Sequence, residues 1–383
     1  MALFGLGFRP FFLAGSLYAA LAVPLWVAAL FGLIDWQPAG GWLAWHRHEM
    51  PFGFAVAIVA GFLLTAVQNW TGIAGLAGRP LALLAGLWLA ARLAWLVGAP
   101  NWLLIPLDLI FLPAVAIVLG LRLWQVRQVR NYPIVLVLGL LTLCNLISLI
   151  GLQRNDHGLQ RQGALAAIWL IAALIGLIGG RVIPFFTSRG LGLNAQVTAW
   201  PWLDHALLLG GLLLALLILS GIGLVAAPWQ AALFLGLAAG HLIRLLRWHH
   251  PGIWRVPLLW SLHLAYAWLV LALLVNGFWH LGWRPGFSQG LHLLTIGAMA
   301  GMILAMIARV SLGHTGRPLQ PPVSMGVAFA LLNLAVPLRV WLAPSQPLAG
   351  FWLSSLCWTA AFVLFLCHYT PMLWAPRADG KPG

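Results

Sequence analysis

Apolar runs follow one another from end to end of the chain, each closed by proline, glycine, asparagine or charge. An α-helix rises 1.5 Å per residue, so crossing the hydrocarbon core of a bilayer takes about 20 apolar residues. The pattern predicts twelve such helices, over residues 9–33, 51–70, 80–97, 102–123, 132–152, 164–183, 202–225, 229–248, 256–278, 288–310, 323–342 and 348–368. The breaks are short, as at Gly78-Arg79-Pro80, Arg130-Asn131-Tyr132-Pro133 and Pro321-Pro322. None has room for a soluble domain. The expected fold is therefore all-α and polytopic, with residues 1–383 forming a single transmembrane helical domain.

Composition agrees with the pattern. Of the residues, 62% are apolar and 7% charged, against roughly 25% charged in soluble domains. So little charge cannot cover a surface in water, and lipid is the solvent that fits. The net charge of +14, from 20 basic and 6 acidic residues, would suggest nucleic acid in a soluble protein. Here the basic residues stand singly in short loops, so topology accounts for them and nucleic acid is not an expected partner. Arg47, Arg154, Arg161, Arg284 and Arg339 fall on one side, Arg92 inside a span, and the remaining arginines with Lys381 on the other. The positive-inside rule makes that second side cytoplasmic, together with both termini. The first apolar run lacks a clear cleavage site and reads as a retained helix rather than a signal peptide. Cys144, Cys357 and Cys367 form no CxxC, which leaves a thiolate zinc site and an iron–sulfur cluster without support.

Several polar residues lie where lipid should forbid them. Arg92 and Asp108 sit at matching depths in the third and fourth spans, so they are expected to meet, as an ion pair or on a proton path. The segment Trp45-His46-Arg47-His48-Glu49-Met50 opens the second predicted span on the outer side and holds the chain's only glutamate. Imidazole and carboxylate suit copper, iron or zinc, and plain interfacial hydrogen bonding fits the spacing equally well. His292 opens the tenth span on the same side, followed by Met299 and Met306, whose stripe reads as packing. His46, His48 and His292 are the candidate ligands of an outer metal, with Glu49 beside them as ligand or proton carrier and candidate catalytic residue. His241 and His263 lie at similar depths from the inner side in consecutive spans, the placement of a haem or metal clamp or of two separately bonded histidines. Asp108 and Tyr266 are further candidate proton carriers. His314 lies in Gly313-His314-Thr315-Gly316-Arg317, which lacks phosphate-loop spacing. Arg189, Arg244, Arg309 and Arg317 lie near glycines, and arginine recognises carboxylates such as haem propionates.

Taken together, several segments resemble the NnrS family of bacterial inner-membrane proteins. They are Phe8-Arg9-Pro10-Phe11-Phe12; Trp45 through Phe54; Gly61 through Val67 with Asn69-Trp70-Thr71-Gly72; Gly179 through Thr187; His241-Leu242-Ile243-Arg244; Leu262-His263-Leu264-Ala265-Tyr266; and His292 through Arg317. They run in order over nearly the whole chain. The resemblance implies a multi-pass protein of the bacterial cytoplasmic membrane that carries haem b and copper or non-haem iron and acts in nitric oxide metabolism. It marks His46, His48, Glu49, His241, His263, His292 and His314 as the polar residues that matter, without assigning a metal to each. Arg47 departs from the small residue expected there. His249-His250 precedes Pro251 in an inner loop rather than in a span near the outer face, so it is weak evidence of kinship with haem–copper oxidases.

Two classes of function stay open at this point. One is a nitric oxide reductase-like oxidoreductase, with a haem iron beside a second metal and an unknown electron donor. The other is a non-enzymatic haem protein that senses or sequesters nitric oxide or handles metal. A transporter would rest on span number alone, since no six-plus-six repeat is evident. The orientation is tested by single-cysteine labelling in a cysteine-free background. Ala195→Cys is expected to label only from the cytoplasm and a cysteine at Gly158 only from the periplasm; the reverse pattern overturns the topology.

Overall fold

The computed structural model describes residues 2–195, 197–283 and 286–380; Arg284 and Lys381, assigned above to the outer and inner sides, lie outside them. The described residues form no strand and hold twelve helices long and apolar enough to cross a membrane. These are α1 Phe8–Leu30, α2 Trp42–Thr71, α3 Gly78–Leu96, α4 Asn101–Gln125, α5 Val129–Gln153, α6 His157–Gly190, α7 Pro201–Leu219, α8 Pro228–Trp248, α9 Pro257–His280, α10 Phe287–His314, α11 Val323–Ser345 and α12 Pro347–Trp374. The all-helical, membrane-spanning architecture expected from the apolar periodicity is the one found.

The main difference lies in α2, expected to begin at Pro51 but beginning at Trp42. Proline has no N–H and its ring crowds the carbonyl four residues back, so it ordinarily starts or breaks a helix. The chain instead widens into a π-helical turn over Glu49–Ala55, closed by Val56 N–H on Pro51 O, and continues. His46, His48 and Glu49 are thereby carried inside the helix rather than at its mouth. Such wide turns concentrate at functional sites.

The helices divide between two compact units. The first comprises Met1–Ala167, Ile307–Gln320 and Phe362–Gly383. In it α1 packs on α2, α2 on α4, α3 on α4, and α4 on α5. The ends of the chain meet there. Buried Arg9 donates from Nη1 to Leu373 O at 2.9 Å and Ala375 O at 2.7 Å, and Phe8 N–H donates to Thr65 Oγ1 at 2.8 Å. The second unit comprises Ile168–Met306 and Pro321–Ala361, with α7 on α8, α8 on α9, α9 on α10 and α10 on α11. Trp268 Nε1 donates to Asn333 Oδ1 at 2.7 Å there, and its indole lies so close to Gly297 that a Cβ on that residue would stand 2.5 Å away.

Lipid tails are as apolar as leucine, so helices in a membrane gain by close backbone approach at small residues. In the first unit α5 and α6 make such a crossing. A Cβ on Gly163 would stand 2.4 Å from Cys144 O and 2.7 Å from Ser148 N, and one on Gly151 would stand 2.4 Å from Gln160 N. Gly163→Val should therefore lower stability by about 1–3 kcal/mol or more, read as thermal unfolding in detergent. Gly139→Val, on an exposed face of α5 with open space around its would-be Cβ, should behave nearly as wild type. Equal melting of the two variants contradicts the close crossing.

Candidate functional site

Two polar clusters stand out, one in each unit. In the first unit the π turn of α2 brings Glu49 to face α3 and α4. Glu49 and His48 are fully buried, and Arg92 and Asp108 nearly so. The expected meeting of Arg92 with Asp108 occurs, and Arg92 also binds Glu49. Its Nη1 donates to Glu49 Oε1 at 2.7 Å, and its Nη2 donates to Asp108 Oδ2. One guanidinium thus joins carboxylates from α2 and α4.

The neighbours complete the shell. Tyr18 on α1 donates its hydroxyl to Glu49 Oε2. Trp95 Nε1 donates to Asp108 Oδ2 at 3.0 Å, and Asn145 Nδ2 on α5 donates to Asp108 Oδ1 at 2.8 Å. The His48 ring lies on the Trp95 indole, 4.2 Å between centroids, with Nδ1 3.0 Å from Glu49 Oε1 and Nε2 2.9 Å from Asn145 Oδ1. In an interior of low dielectric each of these bonds is stronger than in water, and each missing one would be costlier. Among the described residues, His48, Glu49 and Asp108 form the one group of three or more candidate metal-binding side chains, their ligand atoms lying within 4.8 Å of one another.

The second cluster is built from α6, α7, α8 and α9. His241 Nδ1 lies 2.6 Å from the Tyr266 hydroxyl. Arg244, one turn further along α8, donates from Nη1 to Gly176 O at 3.0 Å and to the Tyr266 hydroxyl at 3.3 Å, and from Nη2 to Asp204. Three glycines of α6 make the space for this. A Cβ on Gly176 would stand 2.9 Å from His241 Cε1, on Gly179 3.3 Å from Tyr266, and on Gly180 3.3 Å from the Arg244 guanidinium carbon. His241 Nε2 takes no hydrogen bond from any described residue. Asp204, with a side chain 39% exposed, leads outward from this buried chain of bonds.

The expected site residues are thus distributed over both units. His263 belongs to the second, but its ring has partners of its own, Nδ1 at 3.0 Å from Leu259 O and Nε2 at 3.4 Å from Trp248 O. His292, also in the second unit, places Nδ1 2.7 Å from Ser288 O. His46, in the first, stacks on Trp26 at 4.8 Å between centroids. His314 lies against Phe8 in the first unit, its carbonyl accepting from Arg377, and Arg309 is buried in the same unit. Tyr18 and Asn145 did not emerge from the sequence, although an asparagine in the middle of an apolar span is a signal that could have found the second. Asp204, the acidic partner of Arg244, did not emerge either.

Compared with known families, residues 2–377 match the model described as NnrS protein. No curated protein matches the chain. The bond from Tyr18 is a direct test of the first cluster. Tyr18→Phe leaves Glu49 Oε2 without its donor, at a cost of about 1.5–3 kcal/mol for a bond to a charged group. Thermal melting of the purified variant should fall accordingly, and an unchanged melting temperature contradicts the bond.

Proposed function

We propose that this chain, which belongs to the NnrS family, binds and reduces nitric oxide in the membrane, at a haem b whose iron takes His241 Nε2. Family membership fits a membrane protein concerned with nitric oxide, and the observation that carries the finer reading is the state of His241. A metal-ligating imidazole characteristically gives its second nitrogen to a fixed partner. His241 has such a partner at Nδ1 and none at Nε2. Gly176 leaves room beside the Cε1 edge of the ring, so the residues present would allow His241 to hold the haem through Nε2.

Haem supplies an iron that binds nitric oxide and passes electrons to it. The protein's part is orientation. Arg244 Nη1 donates to the Tyr266 oxygen and His241 Nδ1 lies against the same hydroxyl, so Nε2 is the ring nitrogen left for a ligand. Arg244, engaged with Gly176 O, Tyr266 and Asp204, serves to hold the tyrosine rather than a propionate. Joining two nitric oxide molecules into nitrous oxide and water consumes two electrons and two protons. The hydrogen-bonded series Asp204, Arg244, Tyr266, His241 fixes the imidazole in place, and the electron donor is a separate partner. A second metal, copper or non-haem iron, belongs to the same proposal, since imidazole suits either. Both ring nitrogens of His48 are already committed, so that histidine is not among its ligands.

Absorption spectra of purified protein test the reading. Wild type should carry haem b whose Soret band shifts on anaerobic addition of nitric oxide. His241→Ala should lose most of the bound haem, and Tyr266→Phe should keep haem with an altered axial-ligand spectrum. Full haem content and an unchanged spectrum in both variants would remove His241 from the site.

A further inference from the structure

The residues best spaced for a metal, His48, Glu49 and Asp108, already enclose a cation. We infer that Arg92 holds the place a divalent metal would take, that the cluster is metal-free in the native protein, and that removing the Arg92 charge opens a cation site. This inference does not depend on the nitric oxide reading; it bears on where that reading's second metal is not.

Hydrogen-bond counting gives the first argument. Glu49 Oε1 accepts from Arg92 Nη1 and faces His48 Nδ1, and Oε2 accepts from Tyr18. Asp108 Oδ1 accepts from Asn145, and Oδ2 from Arg92 and Trp95. Every carboxylate oxygen in the group therefore has a protein donor, and a metal would have to displace donors that are themselves buried.

His48 is committed on both sides. Nδ1 faces a carboxylate oxygen. Nε2 faces the Asn145 side-chain oxygen, whose identity is fixed because the amide nitrogen donates to Asp108. A ligating imidazole needs one nitrogen with a lone pair turned to the metal. In this arrangement both nitrogens face oxygen atoms of the cluster, so neither is turned to a metal.

Charge gives the second argument. The guanidinium already stands between the two carboxylates as their counter-charge. A divalent ion added beside it would crowd a second cation against the first in a buried site, where an unpaired charge is costly. In the arginine's place it would face the same two carboxylates.

The backbone supplies the third argument. Gly53 lies where a Cβ would stand 2.8 Å from both Arg92 Nη1 and Glu49 Oε2. Its carbonyl accepts from Trp88 Nε1 at 3.0 Å, which fixes the π turn around the guanidinium. The cradle that a Cβ would fill is shaped to the arginine.

The test is the iron, copper and zinc content of the purified full-length protein, measured as isolated and after equilibration with Zn2+ or Cu2+ and desalting. Glu49→Gln and His48→Gln are expected to match wild type in metal per chain, and Arg92→Lys to match it too. Arg92→Gln is expected to gain one equivalent of zinc, which the Arg92→Gln/Glu49→Gln double variant loses again. Loss of a metal equivalent from Glu49→Gln or His48→Gln overturns the inference, as does a folded Arg92→Gln protein that takes up no zinc. Should Arg92→Gln fail to fold, the Glu49→Gln and His48→Gln contents decide alone. Haem content after His241→Ala reports on the functional reading separately, so failure of one is distinguishable from failure of the other.

Discussion

A charge inside a membrane must find its counter-charge within the protein, and here the contact between Arg92 and the two carboxylates Glu49 and Asp108 meets that demand. Much of the first unit is arranged to permit it. Pro51 breaks the regular hydrogen-bond ladder of α2, and the resulting wide turn over Glu49–Ala55 presents the glutamate to the arginine. Gly53 leaves room for the guanidinium, while Trp88 and Trp95 supply indole donors at its edges. Tyr18 from α1 and Asn145 from α5 close the group. Side chains from five helices thus depend on one neutralisation. Breaking such a pair by removing one partner leaves a bare buried charge, a loss of about 3–5 kcal/mol in other proteins.

The second unit uses the same chemistry to a different end. Arg244 also bridges buried groups, but its acidic partner Asp204 is 39% exposed and its other contacts are a hydroxyl and a carbonyl. The first cluster is closed on all sides, whereas the second runs from an exposed acid to a histidine with a nitrogen to spare. Closed and satisfied groups fix a fold; a buried imidazole with an unused lone pair is where a ligand can be held. That contrast favours His241 over His48 as the residue proposed to hold a ligand.

The span pattern was legible in the sequence because lipid imposes a simple rule on length and polarity, and Arg92–Asp108 was legible because opposite charges at matching depth in lipid are driven to pair. The start of α2 was not. Pro51 carries the ordinary signal of a helix end, and only the packing around Glu49–Ala55 shows the helix continuing through it. For the same reason the histidines of that segment were expected at an interface and are found inside a helix. His241 and His263 have similar depths in α8 and α9, but depth does not fix rotation about the helix axis. His241 turns to Tyr266 and His263 to the carbonyls of Leu259 and Trp248. Tyr18 and Asn145 stayed hidden because an uncharged polar side chain in a span is compatible with many partners, and only three-dimensional packing selects one.

Turnover of nitric oxide by the purified protein tests the functional account most directly. With haem loaded, an artificial electron donor in excess and oxygen excluded, a nitric oxide electrode should record sustained consumption of many equivalents per chain, with nitrous oxide accumulating in the headspace. Uptake that stops at a stoichiometric amount, with no nitrous oxide formed, would contradict reduction and leave a protein that only binds the gas.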